Sequence, residues 1–286
     1  MYDCGMKKRL RSIERFHQLH ESGCFLLPNP WDAGTAIYLE HLGFEAVATT
    51  SAGFAFSKGL PDGPSAVSRD MMLDHFREIA GATSLPVNAD FQNAYADEPE
   101  GVARNVEQCI ATGVAGLSVE DSTGRTDPLL YDFDLAVERI KAARIAVDSS
   151  SVPVILTARC EAWLVGDPNP LGTSLERLIA FAEAGADCLY APGVVELEEI
   201  EEIVKALSPK PVNVLISTNN CHLTVSQLAD VGVRRISIGG ALARAAWGGF
   251  VNSAREMKEH GSFTSFRDAT PFSELNDLFA ARTNSR

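Results

Sequence analysis

Short, nearly continuous apolar runs alternate along this chain with longer stretches of helical period. The apolar runs fall at Phe25–Leu27, Ala46–Thr49, Val87–Ala89, Gly116–Val119, Val154–Thr157, Cys188–Ala191, Val212–Ile216 and Arg235–Ile238. Between them, Ala33–Leu42, Arg69–Ala80, Pro99–Ala111, Leu135–Val147, Ser174–Ala184, Leu197–Leu207 and Val225–Val231 carry apolar residues three and four apart. Strands that are apolar on both faces and alternate with helices indicate a parallel sheet covered by helices. The joints follow a pattern too. Gly43, Gly113, Gly185 and Gly232 close a helix ahead of each even-numbered strand, and Pro86, Pro153 and Pro211 open the odd ones after the first. Glycine suits the left-handed end of a helix, and proline suits the first residue of a strand.

Eight such units in roughly 250 residues predict an α/β fold of the single (β/α)8 TIM-barrel type. A doubly wound open sheet would be expected to show G-x-G-x-x-G after the first strand, and that motif is absent. No linker rich in Pro, Gly or Ser divides the sequence, so residues 1–286 are expected to form one domain. Its barrel core would span about 24–247, with a helix before it and a helical extension over 248–286. The last barrel helix is expected to break at Gly248-Gly249, because each glycine costs a helix about 1 kcal/mol.

Composition narrows the partners. With 38 acidic and 25 basic residues the net charge is −13, which argues against nucleic acid or an anionic membrane surface. An anionic substrate would then need local positive charge, from a metal ion or a placed arginine. The six cysteines are scattered without a C-x-x-C pair, as expected of reduced thiols in a cytoplasmic protein. No apolar run has the length of a membrane span, and no signal-peptide pattern opens the sequence.

Barrel chemistry belongs at the carboxyl ends of the strands. Asp90 and Glu120 end neighbouring strands, so their carboxylates can converge across the mouth; without a cation they would repel. A set of oxygen donors without clustered His or Cys favours Mg2+, with Mn2+ as a substitute. Either acid taken alone reads equally well as the start of a loop or helix. Arg159 closes PVILTAR, where its fork could grip a substrate carboxylate or pair with Glu161 or Glu120. Ser51, Ala52 and Gly53 offer consecutive backbone N–H groups beside small side chains, a possible anion cradle. Asn29 and Tyr190 also stand at strand ends. The histidines on helices are discounted, and Cys160 is expected to point away from the mouth.

As a set and in this order, the segments PVNADFQNAYAD, GVAGLSVEDSTG and VILTARCEAWLVG resemble the isocitrate lyase and phosphoenolpyruvate mutase superfamily, over roughly Phe25 to Trp247. The resemblance implies Mg2+-dependent reactions of 2-oxo or 2-hydroxy carboxylates that pass through an enolate. It implies that Ser51, Ala52 and Gly53 hold the substrate carboxylate, and that Asp62 of GLPDG reaches the metal's waters from a loop. It also implies that Asp90 and Glu120, with Asn88, surround the metal, and that Arg159 grips substrate oxygens. A homo-oligomer is implied as well, a dimer of dimers that exchange the last helix.

Three departures bear on the reaction. Asn88 replaces an acid of the family's usual D-x-D, and Ala48 and Thr49 stand where many members place an aromatic residue. The stretch STGRTDPLLYD holds no Lys, Cys or His, although isocitrate lyases carry a catalytic cysteine loop there. The leading expectation is a lyase or decarboxylase of a small 2-oxo or 2-hydroxy di- or tricarboxylate. A P–C bond mutase or hydrolase, in which Arg125 would hold a phosphoryl group, is a second reading. A barrel that binds a carboxylate without turnover is a third.

Overall fold

The protein is described from a computed structural model, which covers residues 2–63 and 65–284. Eight strands form one parallel sheet: β1 (Phe25–Leu27), β2 (Val47–Ala48), β3 (Val87–Asp90), β4 (Gly116–Glu120), β5 (Ile155–Arg159), β6 (Cys188–Tyr190), β7 (Val212–Leu215) and β8 (Arg235–Ser237). From β2 to β8 each strand pairs with the next in sequence, and β1 pairs with β8, so the order runs β1-β8-β7-β6-β5-β4-β3-β2 around a nearly closed (β/α)8 TIM barrel. Between β1 and β2 the ladder is replaced by two links. Ala48 N–H donates to Pro28 C=O at 3.0 Å, and the Asn29 amide donates to Thr49 C=O at 2.8 Å. The Asn29 oxygen accepts from Ile238 and Gly239 N–H, both at 3.0 Å, so one side chain ties β2 to the end of β8.

The glycine and proline pattern has its structural counterpart. Gly43, Gly113, Gly185 and Gly232 all take positive φ between a helix and a strand. Helices coat the outer face of the sheet and bury Met72, Phe76, Ile79, Val102, Ile140 and Leu178, each worth about 1.5–3 kcal/mol of burial. The helix Tyr2–Glu21 covers the amino ends of the strands. Phe16 and His20 of this helix are buried, and the Phe16 ring fills the space a side chain at Gly116 would need. Cys109, Cys160 and Cys188 are buried free thiols, Cys24 is half-buried and Cys221 exposed; the side chain of Cys4 lies outside the described residues.

Residues up to Ala241 form one compact unit and those from Leu242 a second. The second holds most of the helix Ala241–His260, a short 3-10 turn at Thr264–Asp268 and the helix Phe272–Asn284. The expected break at Gly248-Gly249 does not occur: the helix runs through both residues. A cost of about 1 kcal/mol per glycine is too small to interrupt a helix of 20 residues with hydrogen bonds on either side. No described helix is long and apolar enough to cross a membrane.

Candidate active site

Strand register sets the site. Glu120 on β4 stands beside Arg159 on β5, which stands beside Tyr190 on β6. Side chains alternate along a strand, so Glu120, Arg159 and Tyr190 share the inner face and Cys160 leaves it. Cys160 is buried against Ser174 instead, Sγ to Oγ 3.5 Å. The guanidinium of Arg159 is the meeting point. Its Nη1 lies 3.4 Å from Asp90 Oδ1 and 3.4 Å from Glu120 Oε2, while its Nε donates to Glu161. The same cation sits over the Tyr190 ring, 5.2 Å from the centroid.

The Thr50–Gly53 turn meets this cluster from β2. The stretch Ser51–Ser57 is a short helix capped by Thr50. Gly53 N–H is taken by the Thr50 hydroxyl at 3.2 Å, and Ser51 N–H donates to Asp90 Oδ2 at 2.9 Å. Ala52 N–H has no partner among the described residues and stays available. Ser51 lies near Asp62, and Gln92 Nε2 donates to Asp62 Oδ1 at 3.3 Å. Of the site residues expected from sequence, Ser51, Asp62, Asp90, Glu120 and Arg159 therefore come together. Asn88 lies one step deeper on the inner face of β3, beside Gly116.

The charges are unbalanced. Asp62, Asp90, Glu120 and Glu161 surround Arg159, the one arginine among them. Burial, only partly offset by Arg159, lifts the Glu120 carboxyl well above its usual range, with Glu161 and Asp90 adding to the rise. Burial and then Asp90 raise Asp62. Burial opposes the charge on Arg159, but Glu161 and Glu120 outweigh it and hold the guanidinium protonated. Burial pushes the Tyr190 hydroxyl up to about 12.

A divalent cation fits this donor set on two observations. The carboxylates exceed the positive charge facing them, and Asn88 Oδ1 is buried without a hydrogen-bond partner. Among the described residues no three His, Cys, Asp or Glu side chains stand close enough together to hold a metal ion by themselves.

Sequence reasoning marked Asp121 as a polar residue after β4 but not its role, and it did not single out the other groups that follow. Asp121 joins Arg177 at 3.1 Å and accepts Glu161 N–H at 2.8 Å, so it positions the segment after β5. Gln92, Ala94 and Tyr95 all take positive φ in the turn after β3, unusual for residues with side chains. A small cavity of about 40 Å³ runs from Asp90 and Arg159 down to Asn213, Arg235 and Ser237. At its floor Arg235 donates to Asn213 Oδ1 at 2.8 Å and Thr157 Oγ1 at 3.0 Å, and meets His20 Nε2 at 3.3 Å. The only sequence signal for Arg235 was its place in an apolar strand on the inward-facing parity. Arg125, the candidate phosphoryl holder, is engaged with Asp97 at 3.0 Å.

Comparison with known proteins agrees with this architecture. A solved structure from Burkholderia cenocepacia J2315, described as a candidate lyase/mutase, is 46% identical with a TM-score of 0.92, over 96% of this chain and 97% of that one. Oxaloacetate acetylhydrolase, solved with its product oxalate, is 25% identical with a TM-score of 0.85, over 96% of each chain. The 2-methylisocitrate lyase of Vibrio cholerae is 28% identical over 90% of this chain and 84% of that one. Residues 16–258 match the phosphoenolpyruvate phosphomutase family, and the chain belongs to it, as a lyase or mutase of the isocitrate lyase and phosphoenolpyruvate mutase superfamily.

Proposed function

We propose that this enzyme is a Mg2+-dependent lyase or decarboxylase of a small 2-oxo diacid, with oxaloacetate as the first substrate to test. The observation that carries this reading is the convergence of Asp90, Glu120 and Glu161 on Arg159, beside the open Ala52 amide. In it, Arg159 and the Ala52 N–H bind the two ends of the substrate's oxo-acid group. Asp90, Glu120 and Asn88 would hold the cation, which supplies Lewis-acid stabilisation of negative charge on the substrate's oxo oxygen. Arg159 shares that charge from a preorganised position, and Tyr190 and Glu161 fix its orientation. The likeness to oxaloacetate acetylhydrolase supports a 2-oxo diacid.

Bond cleavage in an isocitrate needs a proton delivered to the departing acid. The chain has no cysteine between Cys109 and Cys160, so a thiol of the loop after β4 cannot supply it. Loss of a general acid costs a factor of about 10²–10⁴. We therefore expect CO2 release from oxaloacetate and little glyoxylate or pyruvate from isocitrate or 2-methylisocitrate. Turnover across that panel, with EDTA and then added Mg2+ or Mn2+, tests the reading. Activity on oxaloacetate should vanish with chelator and return with metal. Chelator-resistant activity, or efficient cleavage of either isocitrate, would sink it. Asn88→Asp should tighten Mg2+ binding, because it restores a second carboxylate to the pair.

For assembly we propose a homo-oligomer built by exchange of the second unit. Trp247, Phe250, Phe263, Phe266 and Phe272 are all exposed there, an apolar surface large for a lone chain. Sedimentation velocity at micromolar concentration should show a dimer or tetramer, and a monomer would end the idea.

A further inference from the structure

We propose that the barrel interior holds a binding site for one small monovalent anion, chloride by size and charge, seated on Arg235 beneath the mouth. The site is independent of the reaction proposed above. Three observations lead to it.

The first is the layer of side chains around it. The interior of a TIM barrel is ordinarily filled by large branched apolar side chains. Here the strands carry Asn88, Ser118, Thr157, Asn213, Arg235 and Ser237 into that space, all of them buried. These small polar groups leave a cavity of about 40 Å³, with Arg235, Asn213 and Ser237 at its floor and Asp90 toward the mouth.

The second is a charge without a counter-charge. Arg235 is 2% exposed, and each of its partners is neutral. Its Nε donates to Asn213 Oδ1 at 2.8 Å, its Nη2 to Thr157 Oγ1 at 3.0 Å and its Nη1 to His20 Nε2 at 3.3 Å. The His20 Nδ1–H is given to Phe16 C=O at 2.7 Å, so Nε2 is a bare acceptor and the ring is uncharged. Among the described residues Arg235 forms no ion pair, whereas Arg159 meets three carboxylates. Arg139, equally buried, has main-chain carbonyls around it instead: Asn93 at 2.6 Å, Asp97 at 2.8 Å and Ala96, with the Tyr131 ring at 3.8 Å. A buried charge is costly until opposite charge meets it.

The third is a set of unused donors. A guanidinium has five N–H groups. Three are taken at Arg235, which leaves one on each Nη without a protein acceptor among the described residues. Asn213 Nδ2 donates to Ser237 Oγ at 2.9 Å, so the Ser237 hydroxyl keeps its own hydrogen to give. The floor of the cavity thus presents donors and a cation. Asp90 repels an anion from the other end and confines it to the floor. Size sets the identity: the space is close to the share of one water in the liquid, about 30 Å³, which admits a halide and excludes sulfate, phosphate or a diacid. A water would fill the space but leave the charge unmet.

The test replaces chloride by bromide. Crystals of the full chain grown in sodium bromide should show an anomalous peak in the cavity, within hydrogen-bonding distance of an Arg235 Nη. In solution, chloride titrated against gluconate at constant ionic strength and pH should raise the thermal midpoint saturably, by about 2–4 °C, because only the folded chain binds the ion. Arg235→Met should lose that response. If that variant does not fold, Ser237→Val carries the test: it fills the cavity, leaves the arginine in place, and should also be indifferent to chloride. A cavity without a bromide peak overturns the proposal. A wild-type midpoint that ignores chloride overturns it as well, since any peak would then reflect binding at crystal concentration only. An equal response in wild type and Ser237→Val puts the ion elsewhere and has the same consequence.

Discussion

The barrel interior holds two arginines in one row of neighbouring strand positions. Arg159 leads through Tyr190 and Asn213 to Arg235, each beside the next on adjacent strands. Because barrel strands tilt, such a row descends from mouth to floor. At the mouth Arg159 faces Asp90, Glu120 and Glu161, more negative charge than it can neutralise. At the floor Arg235 faces His20, Asn213 and Thr157, none of which carries compensating charge. Burial and then Arg235 press the His20 pKa down to about 3, so its ring stays neutral and accepts from the arginine. The same side chain thus serves two purposes. The mouth is left with more carboxylate than cation, and the floor is a fixed positive base with all three guanidinium nitrogens paired.

The contrast breaks most visibly at the floor. Arg235→Met should strip a donor from three buried acceptors and cost about 3–5 kcal/mol of stability. Urea unfolding measures this. A loss under about 1 kcal/mol would mean that the floor accepts an apolar plug as readily as a cation, as some buried ionic sites do.

The mouth gives a smaller effect of opposite sign. Burial holds Glu120 protonated above its ordinary range, so the unfolded chain releases that proton first. Wild-type stability should therefore fall as pH rises from the usual glutamate value of 4.5 through the raised one. Glu120→Gln abolishes this titration and should be the more stable of the two at pH 8, with the gain shrinking toward pH 5. Melting curves of both proteins in EDTA across that range check it. A difference that does not change with pH would show that Glu120 is already ionised in the metal-free fold.

Much of this molecule was legible in the sequence, because its signals were local. All eight strands appeared as apolar runs, and the Gly and Pro residues before them punctuate the helices where the pattern placed them. Asp90, Glu120 and Arg159 could be paired in advance since each ends a strand on the same face. Two of the misses share a cause, dependence on residues far away in sequence. Nothing within Ser51–Ser57 shows that β3 supplies Asp90 to receive its first amide. The turn at Gln92–Tyr95 shows no glycine, the usual sign of positive φ, because Arg139 on another helix holds it. Gly248-Gly249 looked like a break because propensity was weighed without the length of helix around it.

Asn29 had the profile of a site residue, polar and placed at the end of the first strand. Its amide instead serves as the buckle of the belt, joining Thr49 on one side to Ile238 and Gly239 on the other. A backbone rung is indifferent to sequence, whereas this one is written in a single codon. Aspartate, similar in shape, would keep the two bonds it accepts and forfeit the one it donates, setting a carboxylate against the Thr49 carbonyl. The circle that holds the Thr50–Gly53 turn in place is thereby closed by a residue that mutation can open, one bonded to Thr49 just ahead of that turn.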